Sequence, residues 1–393
     1  MPGTISRGVR APIIREGDDI VSIVVDSVLK AAKEDNFQLQ DRDVVAVTEA
    51  VVARAAGNYA TVDDIAEDVK RKIEGDTVGI VFPIFSRNRF AICLRGIARG
   101  VKKVVIQFSY PSDEVGNHLI TEDVLDDSGV DPYTDVLTVE DFRRLFGYPK
   151  HPFTGMDYIQ YFQDIVKEEG AEVELILANR PEAILNYCDE VICCDTHTRE
   201  RTSKRIKAAG GKTVLTMCDI LNEPVNGSGY NSEYGLLGTN KATETTVKLF
   251  PNNAKEVAEK IAAALFEKTG KKVEAMVYGD GAFKDPVGKI WELADPVVSP
   301  GYTDGLAGVP NELKLKYLAD NDFADLSGEE LADAIRGAIS KKDKDLKGQM
   351  ASEGTTPRRL TDLIGSLCDL TSGSGDKGTP IVLVQNYFSN YSE

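Results

Sequence analysis

Apolar and polar positions along the first third of the chain alternate between two periods. Ile20, Ile23, Val24, Ser27, Val28 and Ala31 fall on one stripe at helical spacing, which predicts a helix over Ile20–Ala32. The Glu16-Gly17-Asp18-Asp19 turn ahead of it supplies a carboxylate cap. Asp43–Thr48 (DVVAVT) is a continuous apolar run, the pattern of a buried strand. A helix over Thr61–Ile73 is opened by Thr61 with Asp64 three residues on. Thr77–Pro83, Phe90–Leu94 and Lys103–Phe108 read as strands.

From about Asn117 the texture changes. Tyr158–Glu169 is predicted helical, Glu172–Leu177 a strand, Pro181–Tyr187 a short helix with proline first, and Glu190–Cys194 a strand. Arg199–Ala209 follows as a helix and Lys212–Met217 as a strand. Strand, helix, strand at this spacing is a βαβ pattern and implies a parallel sheet with both faces covered. Ala254–Glu267 is an amphipathic helix, and Lys272–Tyr278 a strand running into Gly279-Asp280-Gly281. Glu312–Ala319, Glu329–Ser340 and Arg358–Leu370 are expected helices, and Pro380–Gln385 a final strand.

Length and charge narrow the function classes. At 393 residues the chain exceeds one ordinary domain. Its 46 basic and 63 acidic residues give a net charge of −17, which repels phosphate backbones and anionic lipid, so neither nucleic acid nor a membrane is expected as partner. No apolar stretch reaches the roughly 18 residues of a membrane-spanning helix. The N-terminus lacks the apolar core of a signal peptide. Six cysteines are sparse for this length, the usage of reduced thiols in a cytoplasmic protein.

Three segments are candidates for chemistry. In Thr371–Thr379 the glycines and small hydroxyl residues leave backbone amides open to an anion, Lys377 adds a charge suited to phosphate, and Asp376 could hold a divalent ion. The order is not that of a Walker loop, because it runs from helix to strand, and the same composition also serves a plain flexible connection. Asp280, at a strand's end between two glycines, suits a hydrated metal ion or a simple turn. Cys193-Cys194-Asp195-Thr196-His197-Thr198 ends one strand and opens a helix, where Thr196 or Thr198 could cap the helix above an anion. The cysteine spacing there fits buried thiols better than zinc. With three histidines a multi-histidine metal centre is nearly excluded, and no G-x-S-x-G elbow supports a serine hydrolase.

Read in order, four segments resemble the coenzyme F-420-0:gamma-glutamyl ligase family, whose members add glutamate to a deazaflavin precursor. They are Ala11–Asp19 (APIIREGDD), Asp43–Gly57 (DVVAVTEAVVARAAG), Lys268–Phe283 (KTGKKVEAMVYGDGAF) and Leu363–Val384 (LIGSLCDLTSGSGDKGTPIVLV). The resemblance implies a mixed α/β fold in which 1–117 plus 266–393 form an α+β body of the ligase type, and 118–265 an inserted βαβ parallel-sheet domain. It implies GTP, or ATP, with magnesium or manganese, and potassium as a further candidate. A carboxylate acceptor is activated as an acyl phosphate and joined to an amino acid such as L-glutamate, in a homodimer. Carried over by position, Pro12, Ile13, Ile14, Arg15 and Arg54 contact nucleotide, together with Gly373, Ser374, Gly375, Asp376, Lys377 and Gly378; Asp280 and Asp376 bind metal. No catalytic residue is assigned.

The sequence also departs from the family's pattern. The family's Ala-Gly-Ile-Asp run, whose Asp binds metal, is Arg95-Gly96-Ile97-Ala98 here. The threonine after the strand-end Asp is Gly281, the acid of its glycine loop is Ser374, and its lysine is Arg54. Asp376, Asp113 and the insertion are candidates to replace the missing ligands. Three readings follow: a nucleotide-dependent ligase, a ligand-binding protein on the same scaffold without turnover, or an enzyme whose site is the inserted unit, with Asp195, Thr196 and His197 at a switch point.

Overall fold

The computed structural model describes residues 3–279, 282–284, 291–293, 298–346, 348–352, 359–372 and 375–392. It is a mixed α/β architecture built on two large sheets. The first has five strands in the order Ile5–Val9, Ile381–Gln385, Val44–Thr48, Glu274–Tyr278 and Gly301–Tyr302. Val44–Thr48 runs parallel to Glu274–Tyr278, and the other neighbours are antiparallel.

Strand periodicity explains why the DVVAVT run is apolar throughout. Val45, Val47, Ala275, Val277, Ile381 and Leu383 face helices Ile20–Glu34 and Ala254–Thr269. The alternate set, Val44, Ala46, Met276, Val382 and Val384, faces helix Leu360–Thr371 through Ile364 and Cys368. Both faces are covered, so neither set can be polar.

The second sheet has six strands in the order Leu137–Thr138, Glu172–Leu177, Lys103–Phe108, Thr77–Val81, Glu190–Cys193 and Thr213–Thr216, parallel except for the first. Helices Val62–Lys72, Phe90–Arg99 and Tyr158–Glu168 cover one face. Helix Arg199–Ala208 and the short 3₁₀ turn Pro181–Asn186 cover the other. A three-stranded ribbon, Asn240–Lys241, Thr246–Lys248 and Tyr59–Thr61, lies between the two sheets in sequence.

Two expectations change. Phe90–Leu94 is not a strand but the first half of helix Phe90–Arg99. That helix is buried on two sides, so its short apolar run carries no polar stripe to betray the period. The sheet membership also does not follow the division at 117 and 265. Thr77–Val81 and Lys103–Phe108, before residue 117, hydrogen-bond to Glu190–Cys193 and Glu172–Leu177 after it. Helix Ala254–Thr269 packs on the five-stranded sheet. Pairing over such separations is invisible to local patterning.

Candidate functional site

The register of the five-stranded sheet brings four segments to one edge. Thr48 lies opposite Tyr278 in the parallel pair, so both strands end at the same level. The Thr48 amide donates to the Pro380 carbonyl at 3.0 Å, and the Ala11 amide to the Gly378 carbonyl at 3.2 Å. The Gly375–Gly378 turn, the Ala11–Arg15 segment and the two strand ends are therefore neighbours. Past Ala11 the chain runs along helix Glu49–Ala55 until the Gly17 amide reaches the Ala55 carbonyl at 2.9 Å.

The predicted contact residues that are described lie in the segments that meet here. Pro12 and Arg15 are exposed, and Ile13 is 80% exposed. The Ile14 side chain is buried in the core with Ile20 and Val24. Arg54 is exposed in the last turn of its helix. Gly375, Asp376, Lys377 and Gly378 are exposed. Gly378 has φ +64 and open space where a Cβ would stand, a backbone conformation that favours glycine. Asp280, Gly373 and Ser374 lie outside the described residues.

Sequence reading missed one feature of the edge. Lys248 Nζ stands 2.8 and 2.7 Å from the two Glu49 oxygens, and both side chains are nearly buried, at 11% and 4% exposure. Glu49 sits in the first turn of its helix, where a carboxylate is favoured by the helix dipole. The partners are 199 residues apart, and Lys248 falls in the segment that the resemblance leaves unexplained.

The segment matching the family's metal-binding run does something else here. Ala98 is 0% exposed within helix Phe90–Arg99. A Cβ on Gly96 would stand 2.5 Å from Ile65, so glycine permits the close approach of helix Val62–Lys72. Arg95 pairs with Glu168 and Glu169. These residues serve helix packing. Among the described residues no group of three or more His, Cys, Asp or Glu is arranged to hold a metal ion.

At the carboxyl edge of the six-stranded sheet, carboxylates organise the loops. Asp113 is buried and accepts from the amides of Phe85, Val115 and Asn117 and from the Asn117 side chain, at 2.7–3.1 Å. Burial pushes its pKa up to about 6, against the lowering effect of these bonds. It is fully engaged in the loop and has no capacity left to replace a metal ligand at the other sheet. Glu114 caps helix Arg199–Ala208, accepting from the amides of Thr196, His197 and Thr198 and from the Thr198 hydroxyl. The capping group is thus Glu114, not the hydroxyl of Thr196 or Thr198. Asp195 accepts from Thr198 and Thr202, and burial pushes it up to about 6 as well.

All six cysteines are free thiols, with Cys93, Cys193, Cys194 and Cys368 buried. Burial raises Cys93 to about 11 and Cys188 to about 12, so neither is a thiolate at neutral pH.

The model of the F420-0:gamma-glutamyl ligase family matches residues 8–386. The chain belongs to that family. The matched range spans the strands of both sheets. No curated protein matches the chain. Within this ligase family the edge formed by Ala11–Arg15, Thr48–Glu49, Tyr278 and Gly375–Pro380 unites parts of all four segments that carried the resemblance. No helix among the described residues is long and apolar enough to cross a membrane.

Proposed function

We propose that this member of the ligase family joins a carboxylate acceptor to an amino acid such as L-glutamate, at the expense of GTP or ATP. The observation that supports this reading is the convergence of the Gly375–Gly378 turn, the Ala11–Arg15 segment and two parallel strand ends on one edge. A carboxylate is a poor electrophile, and phosphorylation gives it a leaving group. One acceptor oxygen attacks the γ-phosphorus and the nucleoside diphosphate departs. The amine then attacks the acyl carbon, phosphate leaves, and the nitrogen loses its proton.

The donor chemistry of the edge fits a triphosphate. Lys377, Arg15 and Arg54 are exposed cations, and the turn's glycines leave amides accessible. Pro12, Ile13 and the Ile14 backbone border the same edge. Asp376 and Asp280 are the proposed ligands of magnesium or manganese, hard oxygen donors that leave room for phosphate oxygens and water. Such an ion supplies charge neutralisation for the transferring phosphoryl group. The buried Lys248–Glu49 pair keeps a fixed polar wall beside the strand ends. A homodimer belongs to the same proposal.

The test is product formation. Purified protein is incubated with GTP or ATP, manganese, glutamate and a panel of carboxylates, and amides are sought by mass spectrometry alongside released phosphate. Acceptor- and glutamate-dependent phosphate release with a matching amide mass supports the ligase. A second reading, a nucleotide-binding protein without turnover, is favoured by one observation: the family's metal-binding carboxylate is Ala98, sealed in a helix. It predicts nucleotide binding with no amide from any acceptor.

A further inference from the structure

The edge that gathers the Gly375–Gly378 turn and the Ala11–Arg15 segment also receives a residue from outside the four matching segments. Lys248 reaches it through the three-stranded ribbon, whose register sets Thr246 opposite Thr61, Val247 opposite Ala60 and Lys248 opposite Tyr59. Val247 and Leu249 are fully buried, so alternation turns Lys248 to the other face of its strand. The Leu249 amide donates to the Asn58 carbonyl at 3.0 Å, and the Asn58 side chain to the Phe250 carbonyl at 2.7 Å. The strand carrying Lys248 is thus tied to the chain just beyond helix Glu49–Ala55, and its ammonium closes on the carboxylate of that helix's first residue.

Glu49 follows Thr48, whose amide is bonded to Pro380, and Pro380 lies two residues past Gly378. An unbalanced carboxylate in that position repels a triphosphate. The acids Glu16, Asp18, Asp19 and Asp376 in the same segments are exposed, so water and salt screen them. Glu49 is only 4% exposed, where screening is weak and a charge acts over a longer range. Lys248 Nζ, within 2.8 Å of both its oxygens, offsets that charge. The exposed cations Arg15, Arg54 and Lys377 then act on an anion without that opposition.

We propose that Lys248 is a positioning residue of the nucleotide edge: it holds Glu49 and cancels its charge, so that the strand ends accept a triphosphate. This rests on the proposed nucleotide site and adds to it a residue with an electrostatic role. The consequence is discrimination by ligand charge, which a pair serving helix packing alone does not produce.

Equilibrium dialysis of the full-length protein with GTP, ATP, GMP and AMP in the presence of manganese tests it. Glu49→Gln leaves the Lys248 ammonium unbalanced, and the triphosphate binds about threefold or more tightly than to the wild-type chain. Lys248→Met leaves the carboxylate unbalanced, and the triphosphate binds about fivefold or more weakly. The double variant returns to within about twofold of wild type, because the two charges are removed together. Monophosphates carry fewer charges and shift less in every variant. Glu49→Gln keeps the side chain's size and an acceptor for the ammonium, so its sign is readable even where Lys248→Met does not fold. Unchanged or weaker triphosphate binding by Glu49→Gln, or equal shifts for monophosphate and triphosphate, overturns the proposal and leaves the nucleotide site standing. A wild-type chain that binds neither triphosphate defeats the nucleotide site itself, and this proposal with it.

Discussion

Asp113 uses its whole acceptor capacity on four donors, two per oxygen. An amide at this position presents an NH2 to two of those donors, so Asp113→Asn is expected to cost about 1–3 kcal/mol. The sign of its pH dependence follows from the raised pKa. The folded protein holds the proton more tightly than the unfolded chain, so this contribution to stability is full below the ordinary carboxylate pKa of 3.8 and is lost as pH rises through about 6. The cost of Asp113→Asn is therefore larger near about pH 4 than near about pH 7 by denaturant unfolding. A cost that grows with pH contradicts the assignment. Ala98 makes the opposite point. Restoring the family's acid as Ala98→Asp places a carboxylate in a sealed helix, and the expected outcome is a loss of about 3 kcal/mol or more with no gain in metal binding. A stable variant with new manganese affinity would show that the helix is not where Ala98 belongs.

Among elements, helix Arg199–Ala208 depends on a residue far from it in sequence. Glu114 supplies the cap that Thr198 at the N-cap position does not. Glu114→Ala is expected to cost about 0.5–2 kcal/mol. It should also raise hydrogen exchange at the amides of Thr196, His197 and Thr198; unchanged exchange there refutes the cap. Local signals elsewhere were readable. Thr61 and Asp64 form the capping box that their spacing predicts, and Asp19 caps helix Ile20–Glu34. Phe90–Leu94 was misread because its helix is apolar on two faces, and an all-round apolar stretch has no period to read.

For the whole molecule, legibility stopped where contacts become long-range. The apolar runs Thr77–Val81 and Lys103–Phe108 were readable as strands, but their sheet depends on partners up to residue 193. Glu49 stands inside a quoted motif, while its partner Lys248 lies in a segment with no pattern of its own. The chemistry was legible as order along the chain: four short segments, each weak alone, whose described parts meet at one sheet edge. Three of the expected contacts, Asp280, Gly373 and Ser374, fall outside the described residues, so their roles rest on chemistry alone.

The central claim is that this edge holds a nucleoside triphosphate with a divalent ion. Thermal unfolding with GTP, ATP or GDP, with and without manganese, tests it most directly. A triphosphate at about a hundredfold excess over its Kd stabilises by about 2.7 kcal/mol. The account predicts a manganese-dependent triphosphate shift that Lys377→Ala reduces and Asp280→Ala abolishes. No shift with any nucleotide, or a full shift in both variants, contradicts it.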